Sequence, residues 1–358
     1  MTYILGIESS CDETACAIVR DGYEVFSTVV ASQIAKHAVH GGVVPELAAR
    51  EHLKACKVVV ETALAEAGLT MEDIDAIAVT QGPGLMPALL VGINFAKGLA
   101  MGYNKPIIGT NHFLAHIYGA FLGDGKEDLE NPDSYPILSL VVSGGHSSLL
   151  LLEKDGTARH LGWTIDDAAG EALDKGAKLL NLGYPGGPIM QKTGEGGDDK
   201  RFNFPRPLTG TAGKALSEEH KYNFSFSGIK TALLYQVKKL EEAGEKIEGQ
   251  LLQDIVASYQ EAIVDVLSKK AIKAVKDFKA KTIVVAGGVA CNKVLRERMA
   301  QLTPKGVKLR IAKPINCTDN AAMVAGIGYH HFINKEFSEL NFDAYARLPQ
   351  IVKVPFIK

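Results

Sequence analysis

The stretch Tyr3-Ile-Leu-Gly-Ile-Glu-Ser-Ser-Cys-Asp-Glu-Thr-Ala-Cys-Ala-Ile-Val19 reads as an apolar strand, a small polar tip and a second apolar strand. The same figure returns at Ile137-Leu-Ser-Leu-Val-Val-Ser-Gly-Gly-His-Ser-Ser-Leu-Leu-Leu-Leu152. Later in each half comes a buried strand, a glycine-bearing turn and a helix. Ala76-Ile-Ala-Val-Thr-Gln-Gly-Pro-Gly84 precedes a helix near Ala88 to Ala100, and Thr282-Ile-Val-Val-Ala-Gly-Gly-Val-Ala-Cys-Asn292 precedes one over Lys293 to Leu302. A figure used twice predicts two related α/β halves.

Length agrees, because 358 residues exceed what one hydrophobic core usually serves. Gly123 to Ser134 is polar, carries Pro132 and reads as the linker. The expected domains are residues 1–133, residues 134–318, and a C-terminal segment, 319–358, that packs back on the first. Apolar spacing predicts helices over Pro45 to Ala67 and Gln250 to Lys279, with Lys269, Lys270, Lys273, Lys276 and Lys279 on a solvated face of the latter. Thr193 to Lys221, rich in Gly, Pro and charge, is expected to be an extended loop near the site.

A net charge of -2 gives no global attraction to nucleic acid, so a polyanion partner would need a local basic surface. Cys11, Cys16, Cys56, Cys291 and Cys317 form no C-x-x-C pair, which argues against a disulfide framework and for a reducing compartment. The amino terminus lacks the basic region and apolar core of a signal peptide, and no apolar run reaches the roughly 18 residues of a membrane span. No membrane association and a cytoplasmic location are the expectation.

His112 and His116 stand at i and i+4 where a buried strand hands over to a helix, so two imidazoles leave one helix face. A divalent ion there needs a carboxylate as well, and Asp319, in a polar loop before a Gly/Ala-rich helix, is the best candidate; capping that helix is its alternative role. Asp12 and Glu13 lie at the first hairpin tip, where either could act as a base or as a charge beside the metal. Asp174 sits on a predicted helix near the second hairpin, a helix that Asp166 is expected to cap. Ser9, Ser10, Val141 to Gly145, Gly287 and Gly288 supply short-side-chain tips whose backbone N–H groups could approach a phosphate. No G-x-x-x-x-G-K-[ST] or G-x-G-x-x-G fingerprint is present. A zinc protease would need H-E-x-x-H, but Phe113 stands where the glutamate belongs.

The run Lys97-Gly-Leu-Ala-Met-Gly-Tyr-Asn-Lys-Pro-Ile-Ile-Gly-Thr-Asn-His-Phe-Leu-Ala-His-Ile117 resembles the signature of the TsaD family, the threonylcarbamoyl transferases once called glycoproteases. Further matching blocks follow in the family's order. They include Gly6 to Thr14, Gly41 to Arg50, Gln81 to Leu85, Val142 to His146, Asp166 to Ala172, Tyr184 to Pro188, Phe224 to Lys230, Ala286 to Asn292 and Cys317 to Asn320, so the resemblance spans nearly the whole chain. It departs at Ile189-Met-Gln191, where many relatives carry an aspartate, and Gln191 is left out of the expected site.

The resemblance implies an α/β ASKHA fold, the actin and sugar-kinase architecture, with two RNase H-like domains flanking a nucleotide cleft. It implies one Fe(2+) or Zn(2+) ion on His112, His116 and Asp319. It carries adenylate-binding roles over to Val141, Val142, Ser143, Gly144, Gly145, Asp174, Gly187 and Asn292. The implied enzyme is an acyltransferase that moves a threonylcarbamoyl group from threonylcarbamoyl-adenylate to N6 of the adenosine 3′ of the anticodon, in tRNAs reading codons that begin with A. AMP leaves. Asp12 is the expected proton acceptor or orienting carboxylate and Glu13 the reserve, with Lys200, Arg201, Arg206 and Lys230 as candidates for the tRNA anticodon-loop phosphates. A small ATPase and an inactive paralogue of the same fold are the implied protein partners. The competing readings are a kinase or ATPase of the same fold and, behind it, a metalloprotease.

Overall fold

The computed structural model describes residues 1–210, 218–347 and 350–357. In chain order the first elements are β1 (Tyr3–Glu8), β2 (Glu13–Arg20), β3 (Glu24–Ser32), α1 (Ile34–Ala38), α2 (Pro45–Ala67), β4 (Ala76–Gly82), α3 (Met86–Tyr103), β5 (Ile107–Asn111), α4 (His112–Gly119) and α5 (Lys126–Glu130). There follow β6 (Ile137–Val142), β7 (Ser147–Leu152), β8 (Thr157–Trp163), α6 (Ala169–Leu179), α7 (Gly186–Thr193), α8 (Ser227–Glu242), α9 (Gly249–Asp277), β9 (Thr282–Ala286), α10 (Lys293–Leu302) and β10 (Lys308–Ile311). The chain closes with α11 (Pro314–Cys317), α12 (Ala321–Ile333) and β11 (Ile351–Lys353).

The chain divides into two compact units, one of residues 1–135, 152–158 and 312–358, the other of residues 136–151 and 159–311. The first contains a sheet of order β3-β2-β1-β4-β5. β1 pairs antiparallel with β2, Glu8 opposite Ala15, and parallel with β4, Ile7 opposite Val79. The second sheet runs β10-β9-β6-β7-β8-β11. Read from β8 to β10, it repeats the order of the first, so the duplicated hairpins stand at equivalent places in two related sheets. In the second, β6 pairs parallel with β9, Val141 opposite Ala286.

Alternation along β1 explains how the first unit is filled. Leu5 and Ile7 join Cys16, Ile18, Val59, Ile77, Leu89 and Ile93 in the core beneath α2 and α3. The other face carries Gly6, where a Cβ would lie 2.3 Å from Ala321 O and 2.7 Å from Ala325 N. Glycine at that point lets α12 rest directly on the strand. Glu8, two residues on, shares this face and so points toward α12 and α4 rather than into the apolar core. α2 starts with Pro45 at its first turn and stops at Gly68, whose φ of 65° is the left-handed closure that glycine permits.

Three expectations are corrected. Gly123 to Ser134 is no open linker: Leu129 of α5 is buried, and Tyr135 Oη donates to its carbonyl at 2.7 Å. Lys270 does not belong to a solvated face, since it is only 3% exposed and its ammonium donates to the carbonyls of His220 at 3.3 Å and Lys221 at 3.1 Å. Most of α9 is buried on all sides, which a one-sided amphipathic pattern does not anticipate. Asp166 caps α8, not α6: its carboxylate accepts from the backbone N–H of Phe226 at 2.8 Å and Ser227 at 3.2 Å and from both serine hydroxyls, Ser225 and Ser227. A carboxylate three residues before α6 can equally serve a helix start distant in sequence, and only the fold selects between them. The described part of the loop after Thr193 is held on α9, with Asp198 N donating to Asp254 at 2.8 Å and Phe204 edge-on to Tyr259; its residues 211–217 lie outside the described ones.

Candidate metal centre and a glycine tip

α4 begins where β5 ends. Asn111 caps it, its side-chain oxygen accepting from Leu114 N at 3.0 Å, and every residue of the helix is buried. His112 and His116 therefore leave one face one turn apart, their rings 4.5 Å between centroids and 78° apart in plane. Asn320 caps α12 by accepting from Met323 N at 3.0 Å. That releases Asp319, the residue before the cap, from the capping role. Its Oδ1 lies 3.0 Å from His116 Nε2 and 3.5 Å from His112 Nε2. The three candidate ligand atoms all fall within 4.8 Å of one another, so these residues can hold a metal ion.

Two observations test the fit. His116 Nδ1 is buried with no hydrogen-bond partner among the described residues, so the ring is oriented from its Nε2 side. Carboxylates are also in excess, because Asp319 faces Glu8, Asp12 and Glu13 of the first hairpin strongly enough to perturb each of them. Burial first, then the charges of Asp319, Asp12 and Glu8, pushes Glu13 up to about 8. Burial likewise raises Asp12, a hydrogen bond from Cys11 opposes it, and Asp319 adds to the rise. Burial pulls the His112 imidazole down, but the charges of Glu8 and Asp319 outweigh it and hold the group at about 9. Buried and part-buried acids around two imidazoles make an environment that a divalent cation relieves.

Sequence reading missed the residues around this centre. Glu8 is fully buried and its Oε2 lies 3.2 Å from His112 Nδ1. Thr80 Oγ1 and Ser10 N also donate to that carboxylate. One acid ending an otherwise apolar strand was the available signal. The tip carrying Asp12 and Glu13 is pinned by His52, whose Nε2 faces Cys11 O at 3.0 Å while its Nδ1 meets Thr14 Oγ1 at 2.7 Å. Phe113 is buried, so no acid stands at the protease position.

The predicted adenylate residues all lie in the second unit, five of them, Val141 to Gly145, at the end of β6 and in the β6–β7 tip. Val141 and Val142 are buried in β6, whereas Gly144 and Gly145 are exposed, with nothing within 4 Å of where a Cβ would stand. His146 N donates to Ser143 Oγ at 3.2 Å and closes the turn. The N-terminus of α6 abuts it: Gly170 N donates to Ser143 O at 3.2 Å, and a Cβ on Gly170 would stand 2.6 Å from that oxygen. Gly287, at φ 91°, passes so close that a Cβ would lie 2.3 Å from Val142 O. One turn along α6, Asp174 accepts from Gly186 N at 2.6 Å, and Gly187 beside it is open. Asn292 is committed at both ends, capping α10 through Leu295 N at 3.1 Å and donating to Gln260 at 2.8 Å. Of the basic candidates, Arg201 is paired with Asp254 at 2.7 Å, Arg206 with Asp265 at 3.3 Å and Lys230 with Asp167 at 4.0 Å, while Lys200 is exposed.

The model of one protein family, tRNA N6-adenosine threonylcarbamoyltransferase, matches residues 24–326. The enzyme of that name from Geotalea uraniireducens is 48% identical over 342 residues, covering 95% of this chain and 94% of its own. Its namesake in Geobacter sp. strain M21 is 50% identical over 329 residues, covering 92% of this chain and 91% of its own. Among solved structures, component A of the Acidaminococcus fermentans (R)-2-hydroxyglutaryl-CoA dehydratase superposes with a TM-score of 0.53 at 17% identity, over 92% of this chain and 98% of that one. HypF in its phosphate- and nucleotide-bound form gives a TM-score of 0.58 at 12% identity, over 94% of this chain and 47% of that one. These two likenesses are of fold alone, the ASKHA class. No helix among the described residues is long and apolar enough to cross a membrane.

Proposed function

This chain belongs to the TsaD family of tRNA N6-adenosine threonylcarbamoyltransferases, and we propose that it transfers the threonylcarbamoyl group of threonylcarbamoyl-adenylate to N6 of the adenosine 3′ of the anticodon. A new C–N bond forms at the carbamoyl carbon, the C–O bond to the phosphate breaks, AMP departs and N6 loses a proton. The convergence of His112, His116 and Asp319, from segments far apart in the chain, carries the reading of the site.

Two imidazoles and a carboxylate suit Fe(2+) and Zn(2+) alike. When bound, such an ion supplies Lewis acidity toward a carbonyl oxygen. The remaining work falls to this chain's own groups. An exocyclic adenine amine is a weak nucleophile, so orientation of N6 against the carbonyl provides much of the acceleration. Asp12 is the proposed acceptor of the N6 proton and Glu13 the reserve; both lie at the tip next to the imidazoles, and burial makes each more basic than a surface carboxylate. In the second unit, the bare N–H groups of Gly144 and Gly145, with the α6 N-terminus behind them, suit the adenylate phosphate. Splayed single-stranded bases of a tRNA anticodon loop are the form in which RNA is usually read.

The proposed partners are a small ATPase and an inactive paralogue of the same fold. An apolar hollow of about 320 Å³ on α2 and α3, lined by Leu53, Cys56, Leu90, Val91, Asn94 and Phe95, gives a protein partner a face to cover. A tRNA substrate suits a cytoplasmic location. The deciding experiment incubates the chain with threonylcarbamoyl-adenylate and unmodified tRNA, with partner proteins added, then digests the RNA and weighs its nucleosides. A gain of one threonylcarbamoyl group on adenosine is expected; unaltered adenosine under all conditions overturns the reading.

A further inference from the structure

Glu8 takes no part in the chemistry above, although an ionised carboxylate with no exposure is costly unless every lone pair it turns inward is matched. Its partners account for both oxygens. Oε1 accepts from the backbone N–H of Ser10, at the hairpin tip. Oε2 accepts from Thr80 Oγ1, near the end of β4, and lies 3.2 Å from His112 Nδ1, at the start of α4. One side chain thus ties the tip, a neighbouring strand and the first imidazole together.

We infer that Glu8 is a positioning residue for the metal centre, accepting a hydrogen bond from His112 Nδ1–H and so keeping Nε2 turned toward Asp319 and the ion. A carboxylate can only accept, so the ring nitrogen it faces must carry the hydrogen. When an ion is bound and the ring is neutral, its one lone pair is at Nε2, the atom 3.5 Å from Asp319 Oδ1. Outer partners of this kind fix ring rotation and raise ligand basicity. The second imidazole has no counterpart: His116 Nδ1 meets no partner among the described residues. The two ligands are therefore held differently, His112 from both nitrogens and His116 from one. The inference rests on the reading of His112, His116 and Asp319 as a metal centre.

Glu8→Gln preserves volume but replaces one acceptor with a donor. Whichever way the amide turns, either Ser10 N–H or the pair of donors on the other side loses its acceptor. The test is a chelator-competition titration of the full chain with Zn(2+) alone at fixed pH, alongside melting of the metal-free protein. Glu8→Gln is expected to weaken Zn(2+) about 10- to 100-fold. Glu8→Asp, which keeps the charge but withdraws it by one methylene, provides a second variant should the amide fail to fold, and is expected to weaken Zn(2+) as well. Thr80→Val removes a different donor from the same oxygen and is expected to change melting with less than about a threefold change in affinity. Unchanged affinity in Glu8→Gln, or an equal loss in Thr80→Val, overturns the inference. A parent chain that binds no Zn(2+) and no Fe(2+) overturns the metal reading itself, and this inference with it.

Discussion

The two hairpin tips occupy equivalent positions in two sheets of the same strand order, yet their chemistry is opposite. The β1–β2 tip carries Ser9 to Glu13, with Glu8 buried beneath it and Asp12 and Glu13 driven upward in pKa by burial and by Asp319. The β6–β7 tip carries Ser143, Gly144, Gly145 and His146, with open space where side chains would be. A crowd of acids invites a cation, and a bare backbone turn with a helix start behind it invites an anion. One strand order thus carries two differently lined tips, and the proposed function gives the first a cation and the second an anion.

The largest effect is expected from removing a proposed cation ligand beside the first tip. His112→Ala and Asp319→Ala should each lower threonylcarbamoyl transfer by about a hundredfold or more, read by nucleoside mass analysis, and should abolish tight Zn(2+) binding. Asp319 is only partly buried, and buried His112 faces Glu8 and Asp319, so thermal unfolding should stay cooperative. A proportionate loss of melting temperature and activity, with Zn(2+) binding retained, would make the histidines structural and break the contrast between the tips.

At the second tip the contrast can be sharpened by giving it the first tip's chemistry. Gly145→Asp places a carboxylate where a Cβ meets no neighbour, so stability should hardly move. Affinity for AMP, measured by calorimetry, should fall about tenfold or more through like-charge repulsion. Equal affinity in the parent and variant would show that the tip does not receive the phosphate.

Much of this was legible in the sequence, and the limits have physical causes. Strand-tip-strand periodicity located both hairpins, and i, i+4 spacing on a helix placed His112 and His116 together. Asp319 was legible as the best carboxylate candidate but not separable from a cap, because a residue before a helix is as often one, and only the fold shows Asn320 taking that role. Glu8 escaped because its partners, Ser10, Thr80 and His112, come from three elements whose adjacency depends on the β1–β4 and β4–β5 pairings. Lys270 escaped because the depth of α9 depends on what covers it, not on its own pattern. Asp166 lay beside one helix start and served another.

A smaller effect should appear as a pH dependence of the metal-free protein. Glu13 sits at about 8 when folded, against an ordinary value of 4.5, and His112 at about 9 against 6.5. For each, the folded state holds a proton that the unfolded chain has already lost, so stability falls as pH rises, from about 4.5 to 8 for the first and 6.5 to 9 for the second. Chemical denaturation of chelator-treated protein at pH 5, 7 and 9 should show this downward slope. Saturating Zn(2+) should flatten or reverse it, since the ion takes over the role of the protons. A slope of the same size with and without metal would mean that these groups do not face the ion.

The smallest effect tests whether an acid near the second tip is confined to structure. Asp166 joins the β8–α6 segment to the start of α8 by accepting from two backbone N–H groups and two hydroxyls. Those bonds hold its carboxyl below the ordinary range despite the opposing pull of burial. Asp166→Ala leaves the first turn of α8 without its acceptor and should cost about 1 kcal/mol of stability, the usual scale for a lost cap. Zn(2+) affinity should remain that of the parent, and AMP affinity should shift less than about twofold. If AMP binding fell as far as in Gly145→Asp, the acid would be acting on the tip, and the division between a cation-seeking and an anion-seeking hairpin would have to be redrawn around it.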